Sequence, residues 1–316
     1  MGGARRWRRP RFDARRARSR GPRGAGAHAV TGGRQYDAVA VEAAALVIRR
    51  YSTSFGLAAR LLSPSVCRDV RSIYALVRIA DEIVDGAASD AGLDDASIMR
   101  TLDELETETE RAIAIGYSAN LVVHAFALTA RRAGIDASLT RPFFASMRAD
   151  ITDVEHTPES FDAYVYGSAE VVGLMCLRVF LVGERKNAAE TARLEEGARR
   201  LGAAFQKVNF LRDLAADFAG LGRSYFPGIR VDAFSEADKT RLLDDIDADL
   251  AASAATIAGL PASSRRAVVL AHDLFAELSR RIRSTSASEL VTTRVRVPNP
   301  VKMRIAVNAA RGARTR

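Results

Sequence analysis

Asn209-Phe210-Leu211-Arg212-Asp213-Leu214-Ala215-Ala216-Asp217 is the stretch that decides the fold of this 316-residue chain. On a helix, residues four apart share a face. Asn209, Asp213 and Asp217 then form one polar stripe, and Gln206 extends it by a turn. Phe210, Leu211 and Leu214 point elsewhere and anchor the helix in a core. One amide and two carboxylates are hard oxygen donors, the ligand chemistry of Mg²⁺, which usually shares such ligands with substrate phosphates. A second stripe lies upstream: Tyr74, Arg78, Asp81, Glu82 and Asp85. If the two helices face each other, four aspartates converge on one cleft. Carboxylates brought together need compensating cations. Metal ions meet that need, and Arg78 and Arg212 beside them suit a shared diphosphate.

Composition agrees with an all-helical protein. Hydrophobic residues make up 48% of the chain, enough for a sizeable core, and alternating β-branched runs are rare. The two cysteines, Cys67 and Cys176, sit in apolar helical contexts, so a reducing, cytoplasmic setting is expected rather than a disulfide framework. The formal charge of +9 is unevenly spread. Residues 1–34 carry eleven arginines against Asp13, and residues 290–316 carry six arginines and Lys302 with no acid, which leaves −8 for everything between them. A nucleic-acid partner needs basic residues interleaved with aromatics on the folded body, and this body is acidic, so nucleic acid is excluded as a partner. Basic ends suit peripheral contact with an anionic membrane. No transmembrane span is expected, because the longest apolar run, Val171 to Val182, is short and broken by Arg178.

Residues 1–35 are rich in Arg, Gly and Pro and are expected to be a disordered basic tail. Helical patterning starts at Tyr36 and is interrupted at Tyr51-Ser52-Thr53-Ser54-Phe55-Gly56. Ser63-Pro64 marks a new start, with serine at the N-cap and proline at the first helical position, and predicts a helix to Asp85. Further helices are predicted at 95–115, 118–134, 141–152, 159–183, 186–219, 235–258 and 262–288, with Gly220 and Gly222 closing the central one. Asp245-Ile246-Asp247-Ala248-Asp249 looks like the start of a calcium loop, but Leu250 and Thr256 stand where glycine and glutamate are required, which predicts a solvated helix face. The four histidines show no metal spacing and carry no role.

Taken together, six stretches resemble the squalene/phytoene synthase family in order and spacing. They are Tyr51 to Phe55, Tyr74 to Asp85, Met147-Arg148-Ala149-Asp150, Tyr164 to Met175, Gln206 to Asp213 and Gly222 to Pro227. The resemblance runs over roughly residues 40–305, and the pattern is most like the bacterial phytoene synthases. It implies an all-α, single-domain helical bundle of the class I isoprenoid synthase type around a central cleft. The helical prenyl-synthase domain would span 36–305, followed by a basic tail at 306–316.

The resemblance also implies roles. Asp81, Asp85, Asn209, Asp213 and Asp217 would be the catalytic residues and hold Mg²⁺, with Mn²⁺ as a substitute, and no NADPH is expected. Arg78, Arg212, Arg223 and Arg294 would bind the diphosphates of prenyl substrates. Ser52, Ser54, Phe55, Tyr74, Tyr166 and Gln206 would line the cleft, and Phe55, Val172, Leu174 and Met175 would shape an apolar tunnel. The implied reaction is Mg²⁺-dependent head-to-head condensation of two geranylgeranyl diphosphates, through a cyclopropyl diphosphate, to phytoene in carotenoid biosynthesis. Two alternatives stay open: a squalene, dehydrosqualene or presqualene diphosphate synthase using farnesyl diphosphate, and a non-enzymatic assembly member of the family. The chain departs from the family pattern at Ala216, where a glutamate is usual, and at Glu170, where a small residue is usual.

Overall fold

The computed structural model describes residues 25–52, 54–152, 155–221 and 225–312, without the side chains of residues 25–32, 54, 215–221 and 231. The chain divides into two compact units, residues 1–36 and 37–316. The described part of the first is helical throughout.

No strand occurs among the described residues. The helices are α1 (Ala25–Tyr51), α2 (Ser54–Ala59), α3 (Pro64–Asp85), α4 (Ala87–Asp90), α5 (Asp95–Ile115), α6 (Leu121–Ala133) and α7 (Ala137–Thr152). There follow α8 (Pro158–Val165), a π-helical turn at Tyr166–Glu170, α9 (Val171–Phe180) and α10 (Ala188–Leu221). The chain ends with α11 (Glu236–Ala254), α12 (Ala262–Ser284), α13 (Ala287–Leu290) and α14 (Asn299–Ala310). Helix α1 begins at Ala25, ahead of the start expected at Tyr36. At the other end α14 continues past residue 305, and Ala309 is buried, so the helical body extends into the expected tail.

The predicted helix starts hold, with local differences. Ser63 occupies the N-cap of α3 in extended backbone, but its side chain makes no capping bond; its N–H donates instead to the Ser263 carbonyl at 2.9 Å. Thr157 caps α8 through a reciprocal box with Ser160. Gly220 lies inside α10 rather than at its end, and Gly222 falls outside the described residues. Pro142 stands inside α7, which starts four residues before the predicted 141.

The two largest apolar cores among the described residues lie within the second unit. Residues of α3, α5, α6, α7 and α9 build one, including Phe126, Phe143 and Phe144. Residues of α8, α10, α11, α12 and α13 build the other, including Phe161, Phe210, Leu243 and Ile282. The run Pro158–Phe180 is long and apolar enough by length and composition to cross a bilayer, a continuity that counting from Val171 misses. Here it bridges the two cores. A Cβ on Gly173 would meet the Ala198 carbonyl oxygen at 2.5 Å, and one on Gly202 would meet that of Ala169 at 2.6 Å. Both glycines therefore let α9 and the π turn press directly onto the α10 backbone.

Candidate active site

An apolar cavity draws part of its lining from each of these cores. Val70 and Val77 of α3, Val172, Gly173 and Cys176 of α9, and Leu201, Phe205 and Gln206 of α10 all line it. Its lining is almost wholly apolar, as a site for a hydrocarbon chain requires. Helical spacing then places the acids. Asp81 lies one turn beyond Val77, and Asn209 and Asp213 lie one and two turns beyond Gln206. Both acidic stripes thus continue the cavity wall from the C-terminal halves of α3 and α10.

One aromatic group ties these two helix ends together. Tyr164 on α8 packs 5.9 Å from the Phe210 ring of α10, and the charge of Asp85 on α3 reaches its hydroxyl. That hydroxyl donates to Asp150 Oδ1 at 2.6 Å, in a buried pair. Burial first, then the Asp150 charge, lifts the Tyr164 hydroxyl well above its ordinary range. Tyr225 stacks on Phe210 at 4.1 Å. Tyr164, Asp150 and Tyr225 belong to recognisable stretches, yet no helical stripe marks them, because they come from three different segments.

On α3, Arg78 Nη1 donates to Asp81 Oδ2 at 2.5 Å and its second nitrogen to Glu82. The guanidinium lies over the Tyr51 ring, 4.6 Å from its centre. Its Nε is buried and has no hydrogen-bond partner among the described residues. Asp81 is pushed up to about 6, chiefly by burial, with Asp85 and Glu82 adding to this and Arg78 opposing it. Tyr74 stacks on Phe55 with ring centres 5.7 Å apart and hydrogen-bonds to Ser52; burial raises its hydroxyl. On α10, Arg212 Nε donates to Asp213 Oδ1 at 2.9 Å. Arg294, from the segment after α13, reaches the same carboxylate, with Nε at 2.6 Å from Oδ1.

The structure therefore brings Ser52, Phe55, Tyr74, Arg78 and Asp81 together on one side, and Arg212, Asp213 and Arg294 on the other. Asn209 is half-buried on the Asp213 face, and Asp85 is exposed at the end of α3. The side chains of Ser54 and Asp217, and all of Arg223, lie outside the described residues. Tyr166 opens the π turn under the Arg199 guanidinium, 5.5 Å from its ring centre. Arg199 also donates to Glu170 at 2.7 Å. In the tunnel the helical period corrects the expectation: Phe55 and Val172 line the cavity, but Leu174 and Met175 turn into the α3–α7 core. Asp249 is likewise not solvated, being buried against Arg200 and Lys207.

No three His, Cys, Asp or Glu side chains stand close enough to hold a metal by themselves among the described residues. This donor set still fits Mg²⁺, which is normally held by one or two carboxylates plus substrate phosphates rather than by an all-protein cage. Each helix offers carboxylates with an arginine beside them, and the orphaned Arg78 Nε faces a buried environment that an anionic oxygen would satisfy.

The chain is similar to known proteins over most of its length. A model of the squalene/phytoene synthase family matches residues 48–300. The chain is 33% identical over 199 residues to phytoene synthase 3, chloroplastic, of Zea mays, across 61% of this chain but only 44% of that protein. It is 27% identical to a phytoene synthase of Pseudescherichia vulneris, covering 75% of this chain and 80% of the relative. The 15-cis-phytoene synthase of a Paracoccus strain is 28% identical with the same coverage. Among solved structures, a dehydrosqualene synthase bound to a ligand superposes with a TM-score of 0.74 at 20% identity, over 88% of this chain and 98% of the other. The squalene synthase HpnC from Alicyclobacillus acidocaldarius gives 0.66 at 20% identity, over 78% and 93%. These last two show a shared all-α isoprenoid-synthase-like fold.

Proposed function

The chain belongs to the squalene/phytoene synthase family, a family of prenyltransferase-type enzymes, and on that premise we propose that it is a phytoene synthase. Two geranylgeranyl diphosphates are joined head to head. The first diphosphate leaves, the second substrate's double bond attacks the allylic cation, and proton loss gives a cyclopropyl diphosphate. Loss of the second diphosphate, rearrangement and a further proton loss give phytoene, with no reductant consumed.

What supports this proposal is two carboxylate–arginine stripes that continue, by helical spacing, two walls of one apolar cavity. Asp81, Asp85, Asn209, Asp213 and Asp217 are the proposed holders of Mg²⁺, which when bound supplies the Lewis acid that makes diphosphate a leaving group. Arg78, Arg212 and Arg294 take up diphosphate oxygens, exchanging their carboxylate partners for the substrate's charge; Arg223 is assigned with them. The Tyr74 and Phe55 rings, stacked beside Arg78, shield the allylic end from water. Gln206 lines the apolar tunnel, and Tyr166 is assigned with it. The choice of the longer substrate rests on the bacterial phytoene synthases the chain resembles over three quarters of its length.

Product analysis tests this. Purified protein with Mg²⁺ is given geranylgeranyl or farnesyl diphosphate, with and without NADPH. Phytoene from the longer substrate without NADPH is the expected result. Squalene or dehydrosqualene from the shorter one overturns the chain length. A folded protein that yields no hydrocarbon from either moves it to a non-catalytic assembly role.

A further inference from the structure

The last helix carries a feature that the proposed chemistry does not use. α14 packs Ile305 and Ala309 against Ala58 of α2 and against Leu270 and Leu274 of α12. Its other side leaves Met303 56% and Val307 41% exposed. These two are four residues apart and share a face, and Arg304 and Arg311 are exposed around them. No acid occurs between residues 290 and 316.

The cations here are also unmatched. Arg60, Arg266, Lys302, Arg304 and Arg311 form no ion pair among the described residues, unlike Arg283, which pairs with Asp244 and Asp247. They belong to neighbouring segments. Ser63 is bonded to Ser263, which brings the α2–α3 loop to the start of α12, and Ala309 packs near Leu270 on that same helix. An apolar stripe flanked by unpaired cations, on a protein whose body is otherwise acidic, is complementary to an anionic lipid surface. A nucleic-acid backbone would match the charge but leave Met303 and Val307 in water. The site also has a topological consequence. Ala58 and Ala271 pack beside α14 and also line the apolar cavity, so one helix layer separates the two.

We propose that α14, with Arg60 and Arg266 beside it, docks the protein on an anionic bilayer and sets its hydrocarbon cavity against the membrane. This does not depend on which prenyl diphosphate is used. The test is flotation of the full chain with phosphatidylcholine vesicles, with or without phosphatidylglycerol, at low and high salt. Wild-type protein is expected to float with the anionic vesicles at low salt only. Arg304→Gln with Arg311→Gln is expected to weaken partitioning about 25-fold, at about fivefold per charge. Met303→Ser with Val307→Ser is expected to weaken it about tenfold, with helical content and melting unchanged in both. Wild-type flotation of both double variants would assign lipid binding to the N-terminal arginines and overturn the proposal. So would the absence of flotation, or a dimer in sedimentation that the Met303/Val307 variant abolishes.

Discussion

Arg294 Nε lies 2.6 Å from Asp213 Oδ1, which joins the segment after α13 to the acidic face of α10 across 81 residues of sequence. Arg296, two residues on, has no such contact among the described residues. A guanidinium held at the carboxylate is placed to bind the diphosphate that approaches it, and charge-assisted bonds of this kind contribute about 1.5–3 kcal/mol. Arg294→Gln should therefore lower kcat/KM by about ten- to a hundredfold, and Arg296→Gln by less than about twofold. Steady-state kinetics on both variants decides it; a larger loss at Arg296 would remove Arg294 from the site.

Asp81 gives a pH prediction with a defined sign. Its folded carboxyl titrates at about 6, against 3.8 when unperturbed. Across that window the folded, metal-free protein binds more protons than the unfolded chain, so stability falls as pH rises. The cost is absent below pH 3.8, grows to about pH 6 and persists above it. Because the side chain is 38% exposed, solvent screening reduces the nominal cost to roughly 1 kcal/mol. Asp81→Asn should then raise the Tm of metal-free protein at pH 7.5 by about 2–4 °C while abolishing turnover. Calorimetry at pH 4 and 7.5 checks the sign. A variant that melts lower at pH 7.5 would show that Asp81 stabilises the fold instead.

Much of this site is legible in the sequence because helices report their faces directly. The period of four groups Asp81 with Asp85 and Asn209 with Asp213, and Ser63-Pro64 and Thr157-Pro158 mark real helix starts. What the period does not show is a change of period. The π turn at Tyr166–Glu170 inserts extra backbone that no residue spacing announces. Contacts between segments distant in the chain are equally hidden, as with Tyr164 and Asp150 or Arg294 and Asp213. Glu170 shows the limit of reading a departure in isolation. Its carboxylate is taken by Arg199, a partner 29 residues away that its own stretch of sequence does not announce.

Gly173 is where backbone approach sets stability. A methyl there would fall 2.5 Å from the Ala198 carbonyl oxygen, and neither backbone can move without parting α9 from α10. Gly173→Ala should destabilise by about 2–3 kcal/mol, in the range of overpacked cores. A methyl on Gly56 in α2 would have no neighbour within 4 Å, and Gly56→Ala should be neutral or stabilising by up to about 1 kcal/mol. Urea unfolding of the two variants makes the comparison. Equal stabilities would mean that the helices are not in contact at Gly173.

Cys176 tests the cavity itself. It lines the wall one turn beyond Val172, and burial pushes its thiol up to about 12. A thiol so placed is almost entirely protonated at neutral pH. It should resist alkylation by iodoacetamide in the folded protein and react on unfolding, which mass spectrometry at Cys176 reads directly. Replacing it with a ring fills the cavity without touching the acidic stripes. Cys176→Phe should lower turnover of geranylgeranyl diphosphate about tenfold or more, and that of farnesyl diphosphate far less, because the shorter chain leaves the far end empty. An equal loss on both substrates would mean that the cavity does not hold the prenyl tail.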